Sequence, residues 1–97
     1  MENYKLSRAA SNDIVDTYKF GIKTFGLEPA KEYLISLEHF LEELANRPEL
    51  ARDASIFAQN LKHYRFKSHV IFYVFDESNK IFIIRILGKR MDFVQHL

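Results

Sequence analysis

The chain has 97 residues, 47% of them hydrophobic and 14% aromatic, which suits one modest packed core and excludes a disordered polymer. The absence of cysteine excludes a disulfide scaffold, thiolate catalysis and a cysteine zinc site. The net charge of +1 divides unevenly: residues 1–61 carry 7 Lys or Arg against 10 acids, net −3, and residues 62–97 carry 7 against 3, net +4.

Tyr4-Lys5-Leu6 alternates and predicts a short first strand. Ser7 stands where an N-cap belongs, and Arg8 to Phe25 carries apolar residues at helical spacing: Ala10, Ile14, Tyr18, Ile22 and Phe25. Gly26 is expected to end this helix in the left-handed conformation. Gly21 inside it costs about 1 kcal/mol relative to alanine, which is tolerable where another backbone packs close. Pro29 fits the first position of a second helix, since its missing N–H is not needed there. Ala30, Leu34, Leu37, Leu41 and Leu44 follow at spacings of three and four, with Tyr33 and Phe40 widening the face, and Asn46 and Pro48 stop the run. So short a connection folds the helices back as an antiparallel hairpin.

β-formers dominate from residue 61. Leu61–Phe66, Ser68–Phe75 and Ile81–Leu87 predict three strands, with Asp76 to Lys80 as a polar turn, Gly88 as a stop and a helical turn near the end of the tail. The hairpin strands are apolar on both faces, so both require cover. The helices supply one cover; the other face calls for something else, such as a second chain. The order strand, helix, helix, three strands makes an α+β domain.

Few constellations offer chemistry. His39, His63, His69 and His96 lack metal-ligand spacing, although His63 and His69 could face each other across adjacent strands. The three glycines are too scattered for a phosphate loop, and no serine sits in a nucleophile-elbow pattern. No cofactor is therefore expected. The basic residues carry more weight: Arg65 and Arg85 stand among apolar strand residues, and Lys67, Lys89 and Arg90 flank the strand ends. Guanidinium groups fork onto carboxylate or phosphate oxygens, so Arg65, Arg85, Lys89 and Arg90 are the candidate partner-binding residues. The competing reading pairs the arginines with helix acids and places the interleaved aromatics in the core.

Four segments together resemble the ParE/RelE toxin superfamily of type II toxin–antitoxin modules, and its ParE-like branch in particular. They are Tyr4-Lys5-Leu6-Ser7 with Ala9-Ala10, Asp13-Ile14 and Tyr18; Phe25-Gly26 with Ala30, Tyr33, Leu37, Leu44-Ala45 and Pro48; Tyr64-Arg65 with Ser68 to Tyr73; and Ile84-Arg85-Ile86-Leu87-Gly88-Lys89-Arg90-Met91-Asp92 with His96-Leu97. The resemblance implies one toxin domain over residues 1–97, with an N-terminal strand and a helical hairpin packed on a small antiparallel sheet. It further implies a toxin that inhibits DNA gyrase by binding, more an enzyme inhibitor than a catalyst, and that is neutralised by a cognate antitoxin. Higher-order toxin–antitoxin assembly fits the same pattern, whereas direct nucleic-acid binding by the chain alone is not expected. Ribosome-dependent mRNA cleavage of the RelE type is the alternative, and an antitoxin-binding member with another target is a third. Gly88 stands where the family often has histidine after the Arg-Ile-Leu run, and the tail has no His-Tyr pair, so no catalytic residue is carried over. Met1 to Tyr4 lacks a basic, then apolar leader, so a cytoplasmic location without membrane insertion is expected.

Overall fold

In the computed structural model, which describes residues 3–97, two helices lie on one face of a five-stranded sheet. Met1 and Glu2, part of the segment read for a leader, lie outside the described residues. The elements are β1 (Tyr4–Leu6), α1 (Arg8–Phe25), α2 (Leu27–Asn46), a 3-10 turn (Pro48–Leu50), β2 (Arg52–Asp53), β3 (Lys62–Phe66), β4 (His69–Phe75), β5 (Ile81–Gly88) and α3 (Phe93–His96). The sheet order is β1-β5-β4-β3-β2. β3, β4 and β5 form the expected antiparallel meander, but β1 pairs in parallel with β5, so the sheet is mixed. β2, two residues long, was not expected; too short a run shows no alternation. Among the described residues, no helix is long and apolar enough to cross a membrane.

Local chemistry sets the helix ends. The Ser7 hydroxyl accepts from the Ala10 N–H at 2.9 Å, a cap worth about 1 kcal/mol. Gly26 has φ 97° and ψ 169°, so its φ is positive as expected while its ψ is extended rather than left-handed helical. Its N–H donates to the Ile22 carbonyl and its carbonyl accepts from the Ala30 N–H, so one glycine closes α1 and opens α2. This backbone region belongs almost wholly to glycine. Because α2 starts at Leu27, Pro29 is its third residue rather than its first. The substitution is harmless there, since the first four helical N–H groups have no partner within the helix. At Gly21 an added Cβ would lie 3.2 Å from the Ala30 Cβ, which is why this position lacks a side chain. The helices approach closely there, with Gly21 against Ala30.

Ala10, Leu37, Leu41 and Leu44 from the helices meet Tyr4, Ile71, Tyr73, Ile81, Ile83 and Ile86 from the sheet in the main core. The apolar stripe of α1 does not stay buried along its length. Ile22 and Phe25 are exposed, Phe25 at 68%, because the tip of the hairpin runs on past the sheet. Tyr73 is fully buried, and its hydroxyl has no hydrogen-bond partner among the described residues. Burial pushes its pKa up to about 12. Since an unsatisfied buried hydroxyl costs about 1–3 kcal/mol, Tyr73→Phe is expected to leave stability unchanged or raise it by about 1 kcal/mol. A thermal melt that shows destabilisation would mean the hydroxyl has a partner.

The second face of the sheet carries Val70, Phe72 and Leu87, packed with Ala54 and Leu61. Its cover comes from the chain itself, contrary to the expectation of a second chain. The loop between β2 and β3 brings Phe57 over Phe72 at 5.9 Å between ring centroids, and α3 brings Phe93 within 5.1 Å of the same ring. The sequence pattern could not show this, because the covering residues lie in a loop and a four-residue helix with no periodicity of their own.

Candidate functional site

A bulge in β5 governs the placement of Arg85. The register pairs Tyr73 with Ile83 and Phe72 with Arg85, leaving Ile84 as the extra residue. β1 covers the edge of β5 only as far as Ile83, and α1 closes the next stretch with side chains. The Ser7 hydroxyl donates to the Ile84 carbonyl at 2.6 Å, and the Asp13 carboxylate accepts from the Ile86 N–H at 2.9 Å. Arg85 forks onto the same carboxylate through Nε and Nη2, both at 2.8 Å, while Nη1 donates to the His96 carbonyl at 3.0 Å. The Asp13 hydrogen bond holds the guanidinium pKa above its ordinary value. This guanidinium therefore ties β5 to α1 and α3, pairing with a helix acid as the alternative reading of the arginines described.

Arg65, Lys89 and Arg90 are disposed differently. All three are exposed, and their side chains form no ion pair among the described residues. Arg65 lies on β3 opposite Val70, and the Lys89 N–H donates to the Ser68 carbonyl. The end of β5 and the turn between β3 and β4 are thereby brought to one end of the sheet. Lys67, at φ 50° in that turn, adds a fourth cation, its ammonium 5.5 Å from the Tyr33 ring centroid and 5.2 Å from that of Phe66. The strand-end position of Lys67 was the available signal for including it with the others. Arg85 is not part of this cluster.

Beside the cations opens an apolar cavity of about 370 Å³ between the two helices and the β3–β4 turn. Ile14, Tyr18, Phe20, Phe25, Leu34 and Leu37 supply much of its wall. The polar part is a short chain of groups. The Tyr33 hydroxyl is 2.7 Å from His69 Nδ1, and His69 Nε2 is 3.4 Å from the Thr17 hydroxyl. Burial raises the Tyr33 pKa and lowers that of His69; the Asp13 charge opposes the latter shift without cancelling it.

Such an imidazole gives a definite pH dependence. The unfolded chain takes up its proton near pH 6.5 and the folded chain only at lower pH. The unfolded state therefore binds more protons in that interval. Stability from neutral, buried His69 is complete above pH 6.5 and is lost as pH falls through the folded value. Urea midpoints at about pH 7.5 and 5.5 should differ more for the native chain than for His69→Gln. Equal differences would remove His69 as the source.

The histidines do not converge. His69 lies opposite Phe66 on the helix side of the sheet; His63 lies opposite Phe72 on the other side. They therefore cannot face each other, because strand neighbours point to opposite faces and the register offsets the two residues. The His63 ring lies 6.2 Å from that of Phe72, and His39 is exposed on α2.

Residues 4–93 match the family described as "ParE toxin of type II toxin-antitoxin system, parDE". The chain is 29% identical over 97 residues to Toxin ParE1 of Caulobacter vibrioides, covering all of this chain and 99% of the relative. It is 27% identical over 94 residues to Toxin ParE1 of Mycobacterium tuberculosis, covering 97% and 96%. Among solved structures, the fold resembles a chain of the chromosomal ParDE system from P. aeruginosa, with a TM-score of 0.75 at 16% identity over 91% of this chain and 96% of that one. It also resembles a chain of the toxin–antitoxin complex RelBE2 from Mycobacterium tuberculosis, with a TM-score of 0.65 at 15% identity over 89% and 95%. With the family match running from the first strand into the last helix, the chain belongs to the ParE toxin family of type II toxin–antitoxin systems.

Proposed function

We propose that this toxin acts by binding and inhibiting DNA gyrase, and that a cognate antitoxin neutralises it. The observation that carries a binding mechanism is the use the fold makes of its reactive groups. Cleavage of RNA by acid–base catalysis needs two titratable groups poised on one phosphate. His69 is engaged by Tyr33, His63 packs against Phe72, and Arg85 is held by Asp13. The cations Arg65, Lys67, Lys89 and Arg90 all face solvent, which suits electrostatic recognition of a protein surface. The cavity beside them, with Phe20 and Phe25 exposed at the hairpin tip, suits the apolar anchors of an antitoxin segment that folds on binding. The structural relatives described as toxin–antitoxin assemblies support that partner.

Purified toxin should inhibit supercoiling by gyrase and should leave ribosome-bound mRNA intact. Unaffected supercoiling together with codon-linked mRNA cleavage would replace this reading with the endonuclease one.

A further inference from the structure

We propose that the cavity between α1, α2 and the β3–β4 turn is a binding site for a small neutral molecule, an apolar two-ring phenol or alcohol whose hydroxyl meets His69 Nε2. The site belongs to the free toxin and rests on neither the gyrase reading nor the antitoxin reading.

The fold holds this cavity open. Gly21 of α1 lies so near α2 that an added Cβ would stand 3.2 Å from the Ala30 Cβ, which fixes the spacing of the helices. At the sheet end His69 contacts both helices, through Tyr33 of α2 and Thr17 of α1. Walls pinned in this way need little ordering when a ligand enters. The volume of about 370 Å³ falls in the usual range of ligand pockets, about 300–1,000 Å³. An apolar cavity of about 150 Å³ holds one benzene, so two fused rings have room here. Tyr18, Phe20, Phe25 and Leu34 offer such a body aromatic and aliphatic contact. Water is a poor occupant of walls like these, because it needs about two to four polar partners.

Charge and hydrogen bonding select the class of ligand. No Asp, Glu, Lys or Arg stands among the described residues that line the cavity. Burial also lowers the His69 pKa, which keeps the imidazole neutral at pH 7.5. An ionised head group would lose its hydration there without gaining a counter-ion. The Lys67 ammonium lies by the Tyr33 and Phe66 rings, and Lys67 does not line the cavity. The hydrogen-bonding group follows from His69. Tyr33 holds Nδ1 at 2.7 Å, whereas Nε2 is 3.4 Å from the Thr17 hydroxyl, too far for a strong bond. Nε2 is a donor in one tautomer and an acceptor in the other, and a ligand hydroxyl matches both.

The test uses isotope-labelled full-length toxin and 2-naphthol, which is neutral at pH 7.5, followed by NMR. The probe should bind saturably with a Kd of about 0.1 mM or tighter, shifting the Gly21 and Ala30 amides and the His69 ring nitrogens. The 2-naphthoate anion should bind about ten-fold more weakly or worse. Leu34→Trp, which fills the cavity from a half-buried position, should abolish binding. His69→Phe, which removes both ring nitrogens, should weaken it about ten-fold and gives an independent reading if the first variant fails to fold. No saturable binding below about 1 mM would overturn the proposal. So would 2-naphthoate binding as tightly as 2-naphthol, or 2-naphthol binding that survives Leu34→Trp. A second copy of the chain seated in the cavity, seen as exclusion of the probe with rising toxin concentration, would overturn it too. Supercoiling inhibition is read separately, so failure here leaves the gyrase reading standing.

Discussion

Asp13→Ala is expected to destabilise the toxin by about 3 kcal/mol, lowering its melting temperature by roughly 12 to 24 °C. One carboxylate accepts two bonds from Arg85 and one from the Ile86 N–H. The side chains of Arg85 and Asp13 are only 21% and 11% exposed, so water replaces these bonds poorly. Removing Asp13 strands both a guanidinium and a strand-edge N–H, which is worse than losing a surface ion pair worth at most about 1 kcal/mol. Arg85→Ala should cost less, about 2 kcal/mol, because Asp13 keeps its bond to Ile86. A loss of under about 0.5 kcal/mol for Asp13→Ala would show that the latch is only a surface contact. If Arg85→Ala remains folded and loses toxicity, the arginine has a role beyond structure.

The second large effect lies on the other side of the sheet. Phe72→Ala should cost about 3–5 kcal/mol. Its ring is almost fully buried and is contacted by Phe57, Phe93 and His63. The cavity left behind would remove what holds the β2–β3 loop and α3 against the sheet, so amides of residues 93–97 should exchange faster in the variant. A loss near zero would mean that this face is not closed by the toxin itself. The cover is incomplete at its margins, where Ile56 is 89% exposed and Val94 73%.

The regular elements were legible because their signals are local. The Ser7 cap, the 3.6-residue spacing in both helices and the β-rich hairpin depend on neighbours within a few positions, and each appears where expected. Gly21 was legible for the same reason: a costly residue in a helix marks a place where side chains do not fit, here against Ala30. What local patterns could not reveal depends on register. The bulge at Ile84 arises between strands and determines where Arg85 points, and its partner Asp13 lies 72 positions away. Likewise the pairing of His69 with Tyr33 required knowing that α2 crosses the β3–β4 turn. The charge division was visible in composition, but the gathering of Arg65, Lys67, Lys89 and Arg90 at one end required the strand order. Arg85, chosen with them on residue type, belongs to the α1–β5 latch.

Action by binding rather than by catalysis is tested most directly by titrating purified toxin against a fixed amount of gyrase. Supercoiling activity should follow occupancy, falling in proportion to added toxin and levelling off near equivalence. Complete inactivation by a small fraction of an equivalent, growing with time, would contradict the account.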